Sequence, residues 1–339
     1  MRRITIGLIG AGRIGKLHAE HLARRIADTE LVAVADSRLE AAKEVAAACG
    51  VDAAVEDYRV ILENPAIEAV VICASTNMHA QMIEEAAIAG KHIFCEKPID
   101  LDLAKIDQAL AAVDRAGVRL QVGFMRRFDT NFRRLREIIA AGKIGTPQLL
   151  HIISCDPGPP SIEYIKVSGG IFLDMVIHDF DMARFLIGSE VSEIYATGTA
   201  MVDPEIGKAG DIDTAATVLR FENGVVGTIN NSRKAVFGYD QRAEVLGSGG
   251  MAATSNNTLD RTIHSNTDGV HTAPPLWFFA ERYADAYLAE MIEFIECVRE
   301  GKTPSVTGTD ARVPVVMGHA AKKSLEENRP VRLSEIDAG

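Results

Sequence analysis

The segment Gly169-Gly170-Ile171-Phe172-Leu173-Asp174-Met175-Val176-Ile177-His178-Asp179-Phe180-Asp181 is the richest in reactive side chains. Its apolar residues and regular acids read as a helix, which puts Asp174 and His178 four apart on one face. A carboxylate beside an imidazole fixes its tautomer and raises its basicity, as a base that removes a hydroxyl proton requires. The same pair also serves, in other helices, as a buried hydrogen bond with no chemistry. Asp179 and Asp181 point elsewhere, and no cysteine or second histidine completes a familiar ligand set, so no metal is expected.

A second chemical signal is Gly10-Ala11-Gly12-Arg13-Ile14-Gly15. It lies between an apolar strand, 4–9, and a helix expected from about 14 to 27, the context that gives GxGxxG its meaning. Gly10 permits the turn, Gly12 lets the backbone approach a pyrophosphate, and Gly15 lets helix and sheet pack closely. Asp36 ends the next strand about 20 residues on, where a carboxylate binds an adenosine ribose and repels a 2′-phosphate, so NAD is favoured over NADP. Arg38 is the one neighbour suited to a phosphate there. Ser75, Thr76, Asn77 and His79 follow a later strand, at the sheet edge where such ligands bind. The cofactor contacts expected are Gly10, Gly12, Arg13, Ile14, Gly15, Asp36, Ser37, Arg38, Ser75, Thr76, Asn77, His79, Glu96 and Lys97.

The elements that must position these groups fall into two patterns. Through residue 123, near-continuous apolar strands alternate with helices, which predicts a parallel sheet covered on both faces. Beyond it, strands alternate apolar and polar residues, with a hairpin at Glu222-Asn223-Gly224, which predicts an open, largely antiparallel sheet. The fold expected is α/β: a nucleotide-binding domain over 1–123 and an α+β substrate and oligomerisation domain over 124–339, whose Asp310 helix can pack back on the first. Connections at 155–170 and 201–211 are candidate site loops. One amphipathic helix is expected over Trp277–Arg299.

The chain has 339 residues, 47 % of them hydrophobic, and a net charge of -11. That balance argues against a nucleic-acid binder, and the pair Arg126-Arg127 is too small a patch to reverse it. No run of ~18 apolar residues offers a membrane span. Five scattered cysteines without a CxxC pair suit a reduced, cytoplasmic location.

At Glu96-Lys97-Pro98, and again along 168–186, the chain resembles the oxidoreductase family of glucose–fructose oxidoreductase and inositol dehydrogenase, the latter branch most of all. The resemblance implies an active cleft between the domains and a homotetramer joined largely through the second-domain sheets. It implies that Lys97, often before a cis bond, surrounds the reacting carbinol together with Asp174 and His178. It places Asp156 and Tyr239 on the substrate side, so Lys97, Asp156, Asp174, His178 and Tyr239 are the expected substrate contacts. The activity implied is NAD-dependent oxidation of myo-inositol or a related inositol to an inosose. A pyranose such as an aldose presents similar hydroxyls, so a sugar dehydrogenase using NAD or NADP is the alternative. A dinucleotide-sensing regulator without turnover is the non-enzyme alternative.

Overall fold

Apolar runs in the first 123 residues become strands β1 (Ile4–Ile9), β2 (Thr29–Ala35), β3 (Ala53–Val55), β4 (Ala69–Ile72), β5 (His92–Glu96) and β6 (Leu120–Gly123). The structure, a computed structural model, describes residues 2–337. These six strands form one sheet in the order β3-β2-β1-β4-β5-β6, and every pairing is parallel. The order reverses between β1 and β4, so the carboxyl end of β1 opens onto the crevice where doubly wound sheets bind ligands. Helices α1 (Arg13–Glu20), α2 (Leu39–Cys49), α3 (Arg59–Glu63), α4 (Thr76–Ile88) and α5 (Leu103–Ala116) alternate with the strands. The short β3 and α3 were not expected; each is too brief to leave a periodic signal.

A second sheet has seven strands: β7 (Pro147–Cys155), β8 (Val191–Thr199), β9 (Thr214–Phe221), β10 (Val226–Ser232), β11 (Asp240–Gly247), β12 (Gly250–Thr254) and a short Val331–Arg332 strand. Their order is β12-β11-β7-β10-β9-β8 followed by Val331–Arg332. Only β7 and β10 run parallel; the other neighbours are antiparallel. Alternation along these strands buries Leu150, Ile152, Leu219, Ile229, Ala243 and Val245 on one face. On the other face Met251, Leu246, Leu149 and Val226 lie in register across four strands, all exposed. No helix among the described residues is long and apolar enough to cross a membrane.

The chain forms two compact units: residues up to Met125 with Asp285–Val313, and Arg126–Ala284 with Pro314 onward. The helix expected over Trp277–Arg299 is two, Phe279–Arg282 and Ala284–Glu300. Tyr283 interrupts it with non-helical backbone, where buried Arg282 turns to Asp129 at 2.5 Å. Met291, Phe294 and Ile295 of the second helix complete the first unit's core with Ile6, Leu8, Val34, Val71 and Phe94. The Phe94 and Phe294 rings meet edge to face, 5.8 Å between centroids. Phe294→Ala should therefore cost about 3–5 kcal/mol, read from urea unfolding. A loss under about 1 kcal/mol would contradict this packing.

Candidate active site

The turn after β1 is shaped by close approach. Gly10 has φ +101°, and a Cβ there would stand 2.5 Å from the Cys73 carbonyl. A Cβ on Gly15 would lie 1.9 Å from the Gly10 carbonyl oxygen. Around Gly12, by contrast, a Cβ would meet only open space. That space is where a phosphate can reach the N–H groups at the start of α1, whose first turn carries no acid. A cavity of about 390 Å³ opens there, lined by Ala11, Gly12, Arg13, Lys16, Arg38, Ala41 and Glu44. Asp36 accepts from Ala11 N at 2.8 Å on Oδ2 and from Arg38 N at 2.9 Å on Oδ1. Each oxygen keeps a lone pair for a ribose hydroxyl. These residues fit a dinucleotide.

Ser75 stands at the N-cap position of α4 without a side-chain capping bond, and Thr76 and Asn77 open the helix, just past β4. His79 follows within the same helix. Its buried ring meets the Pro98 carbonyl through Nδ1 at 2.8 Å and the Ala74 carbonyl through Nε2 at 2.9 Å. Both ring nitrogens face backbone carbonyl oxygens, and the ring lies between the Ala74 and Pro98 loops. The Lys97–Pro98 peptide is cis. Glu96 also turns inward, its Oε1 2.8 Å from Nε2 of buried His18. Glu290 lies close by: one ligand atom each from His18, Glu96 and Glu290 fall within 4.8 Å of one another. These types suit a divalent cation. However, burial first, and the Glu96 charge second, push the Glu290 carboxyl well above the usual range. A proton on Glu290 then balances the group.

In the second unit the expected single helix is two. Asp174 ends Ile171–Asp174, and His178 lies in the first turn of Ile177–Ile187. The Val176 N–H bonds back to Ile171 at 2.9 Å, five residues away, so the turn between them is wider than α. The two residues are therefore not related by a plain i, i+4 step. Gly170, at φ +82°, leaves room for Asp211, whose Oδ1 accepts from Ile171 N at 3.1 Å. Asp174 Oδ1 accepts from the Tyr164 hydroxyl at 2.9 Å, and Oδ2 faces Nη1 and Nη2 of Arg233 at 3.3 Å each. Burial pushes Asp156 up to about 6, Arg233 opposing and Asp174 adding to the rise. Tyr239 is buried, and its hydroxyl accepts from Arg126 at 3.2 Å.

Sequence reading missed Tyr164, Asp211, Arg233 and Arg126. The loops 155–170 and 201–211, singled out as site loops, carry Tyr164 and Asp211 to the Asp174 helix. Arg126 and Arg127 are no surface patch: they pair with Asp179 at 2.5 Å and Asp181 at 2.6 Å, both acids buried.

Residues 4–124 match the oxidoreductase family with an NAD-binding Rossmann fold, and 132–253 match the GFO/IDH/MocA C-terminal domain. The chain is 49 % identical to the myo-inositol 2-dehydrogenase of Thermotoga maritima over 98 % of this chain and 99 % of that one. The crystal structure of a myo-inositol dehydrogenase from Corynebacterium glutamicum has TM-score 0.93 at 37 % identity, covering 98 % and 99 %. That of scyllo-inositol dehydrogenase from Lactobacillus casei, with bound NAD(H) and scyllo-inositol, has TM-score 0.92 at 30 % identity, covering 98 % and 100 %. The chain belongs to the GFO/IDH/MocA oxidoreductase family, and its cofactor is NAD.

Two outcomes test this geometry. Gly12→Ala should keep the wild-type melting temperature yet weaken NAD at least about tenfold by direct titration, about 1.4 kcal/mol, because its methyl enters ligand space alone. Unchanged NAD affinity would remove the ligand from that turn. For Glu290 the folded pKa lies above the unfolded one, so its contribution is complete below about 4.3 and is lost as pH rises through the folded value. Glu290→Gln, neutral throughout, should flatten that part of the stability curve and raise the unfolding midpoint above neutral pH. Identical pH dependence in both proteins would contradict a proton held at Glu290.

Proposed function

We propose that the chain oxidises a ring carbinol of myo-inositol, or a related inositol, to the corresponding inosose. The observation that carries this reading is the Asp174 carboxylate, fixed by Tyr164 and Arg233 just ahead of His178, in a chain 49 % identical end to end to a myo-inositol 2-dehydrogenase. NAD, when bound, accepts the hydride that leaves the carbinol carbon. His178 takes the hydroxyl proton, and Asp174 orients the imidazole and supports its positive charge. Lys97 donates a hydrogen bond to the reacting oxygen and favours the negative charge that develops on it. The oxygen loses a proton, the carbon loses hydride, and a ketone remains. Asp156 and Tyr239 take substrate hydroxyls. Asp36, aided by Ser37, holds the adenosine ribose.

We further propose a homotetramer. The exposed row Met251, Leu246, Leu149 and Val226, with Val218 on β9, gives the open sheet face an apolar stripe. An exposed apolar stripe marks an interaction face, and a second copy docked there would cover it.

The test is a panel of inositols, aldoses and amino sugars with NAD and NADP, followed by reduced-nicotinamide absorbance. Myo-inositol with NAD should give the highest kcat/KM, and His178→Ala should lower turnover on the order of 10²–10⁴-fold. Asp36→Ala should narrow the preference for NAD. Activity confined to pyranoses would overturn the inositol assignment alone. NAD binding with no turnover anywhere in the panel would make the chain a sensor. A stable monomer by light scattering would reject the tetramer.

A further inference from the structure

Arg233 follows β10 and is 1 % exposed. Its backbone N–H is fixed to the Asp213 carbonyl at 2.8 Å. A guanidinium out of water is costly unless acids surround it, and here three do. Two nitrogens straddle Asp174 Oδ2 at 3.3 Å, Nη2 lies 3.8 Å from Asp211 Oδ2, and Asp156 feels the same charge. The other oxygen of Asp174 is taken by the Tyr164 hydroxyl at 2.9 Å. The carboxylate is thus held from both sides and cannot swing without breaking one of these contacts.

We infer that Arg233 is a positioning residue: it fixes the Asp174 carboxylate toward its task at His178 and offsets the charge of the surrounding acids. This rests on the proposed dehydrogenase chemistry. The groups around the carboxylates are Tyr164, Asp156, Asp174, Asp211 and Arg233, with Arg126 and Asp179 also acting on Asp156; His178 follows Asp174 in the chain, in the first turn of Ile177–Ile187. Arg233 acts on all three acids, Asp156, Asp174 and Asp211, and buried Arg126 adds its charge at Asp156. Asp156, pushed up to about 6, already stands near the point of taking a proton. Removing Arg233 leaves the acids facing one another without it, so a proton enters the group at higher pH. The anionic support of His178 is then lost.

The experiment compares wild type, Arg233→Met, Arg233→Lys and Arg233→Met in an Asp174→Asn background. The readouts are the pH profile of kcat/KM for myo-inositol, NAD titration and melting temperature. Arg233→Met should lose roughly 10–100-fold near neutral pH, the size expected for coupled neighbours. Its acid limb should move to higher pH, with activity recovering as pH rises and NAD affinity unchanged. In the Asp174→Asn background the same substitution should cost no more than about threefold, because the group it acts through is gone. Arg233→Lys keeps the charge on a single-pronged head, so it should keep the acid limb in place and lower kcat. It decides the matter where Arg233→Met does not fold, and a wild-type kcat in that variant would overturn the inference. So would an unmoved limb in Arg233→Met, or a full loss in the Asp174→Asn background. Wild type inactive on every polyol in the same assay rejects the dehydrogenase reading, and the inference with it.

Discussion

A carboxylate that is to support an imidazole must be held still while largely removed from water. In the second unit this constraint is met by groups from distant parts of the chain. Tyr164 reaches Asp174 from ten residues before it, and Arg233 from 59 residues after it. Asp211 secures the start of the same helix through Ile171, and Gly170 has no side chain because Asp211 occupies that space. The seven-stranded sheet is what brings these segments to one end. β7 leads into Asp156, and its parallel partner β10 ends at Ser232, just before Arg233.

The first unit meets a different constraint, the approach of a ligand to bare backbone. Gly10 and Gly15 are required by the protein itself, since a methyl at either collides with backbone. Gly12 is required by nothing in the protein, and that asymmetry is what identifies ligand space. Buried polar groups behind the turn serve a third end. His18 and Glu290 are buried and Glu96 is partly so, and there protonation of Glu290 is less costly than two adjacent carboxylates.

What was legible in the sequence follows from the range of each interaction. The nucleotide-binding half obeys local rules: an apolar run, a glycine turn and a helix, repeated, and all its strands but the short β3 lie where the runs do. The open sheet was legible from alternation, but the parallel β7–β10 pairing spans 77 residues and leaves no local mark. Asp174 and His178 were visible as types and spacing, whereas the wide turn between them was not, because it depends on backbone bonds. Arg126, read as surface charge, is buried against Asp179, 53 residues away. The Ala74 and Pro98 carbonyls that face the His79 ring left no local mark either. Local periodicity does not report which partner a buried polar side chain finds.

The most direct test of the central claim is single-turnover reduction of bound NAD by myo-inositol carrying deuterium on the reacting carbinol carbon. The account predicts one reduced nicotinamide and one inosose per site, slowed by a primary isotope effect. It also predicts that His178→Ala loses this phase while NAD titration stays near wild type. Saturated NAD binding with no reduced nicotinamide from any inositol would contradict it, as would a His178→Ala protein that reduces NAD at the wild-type rate across pH.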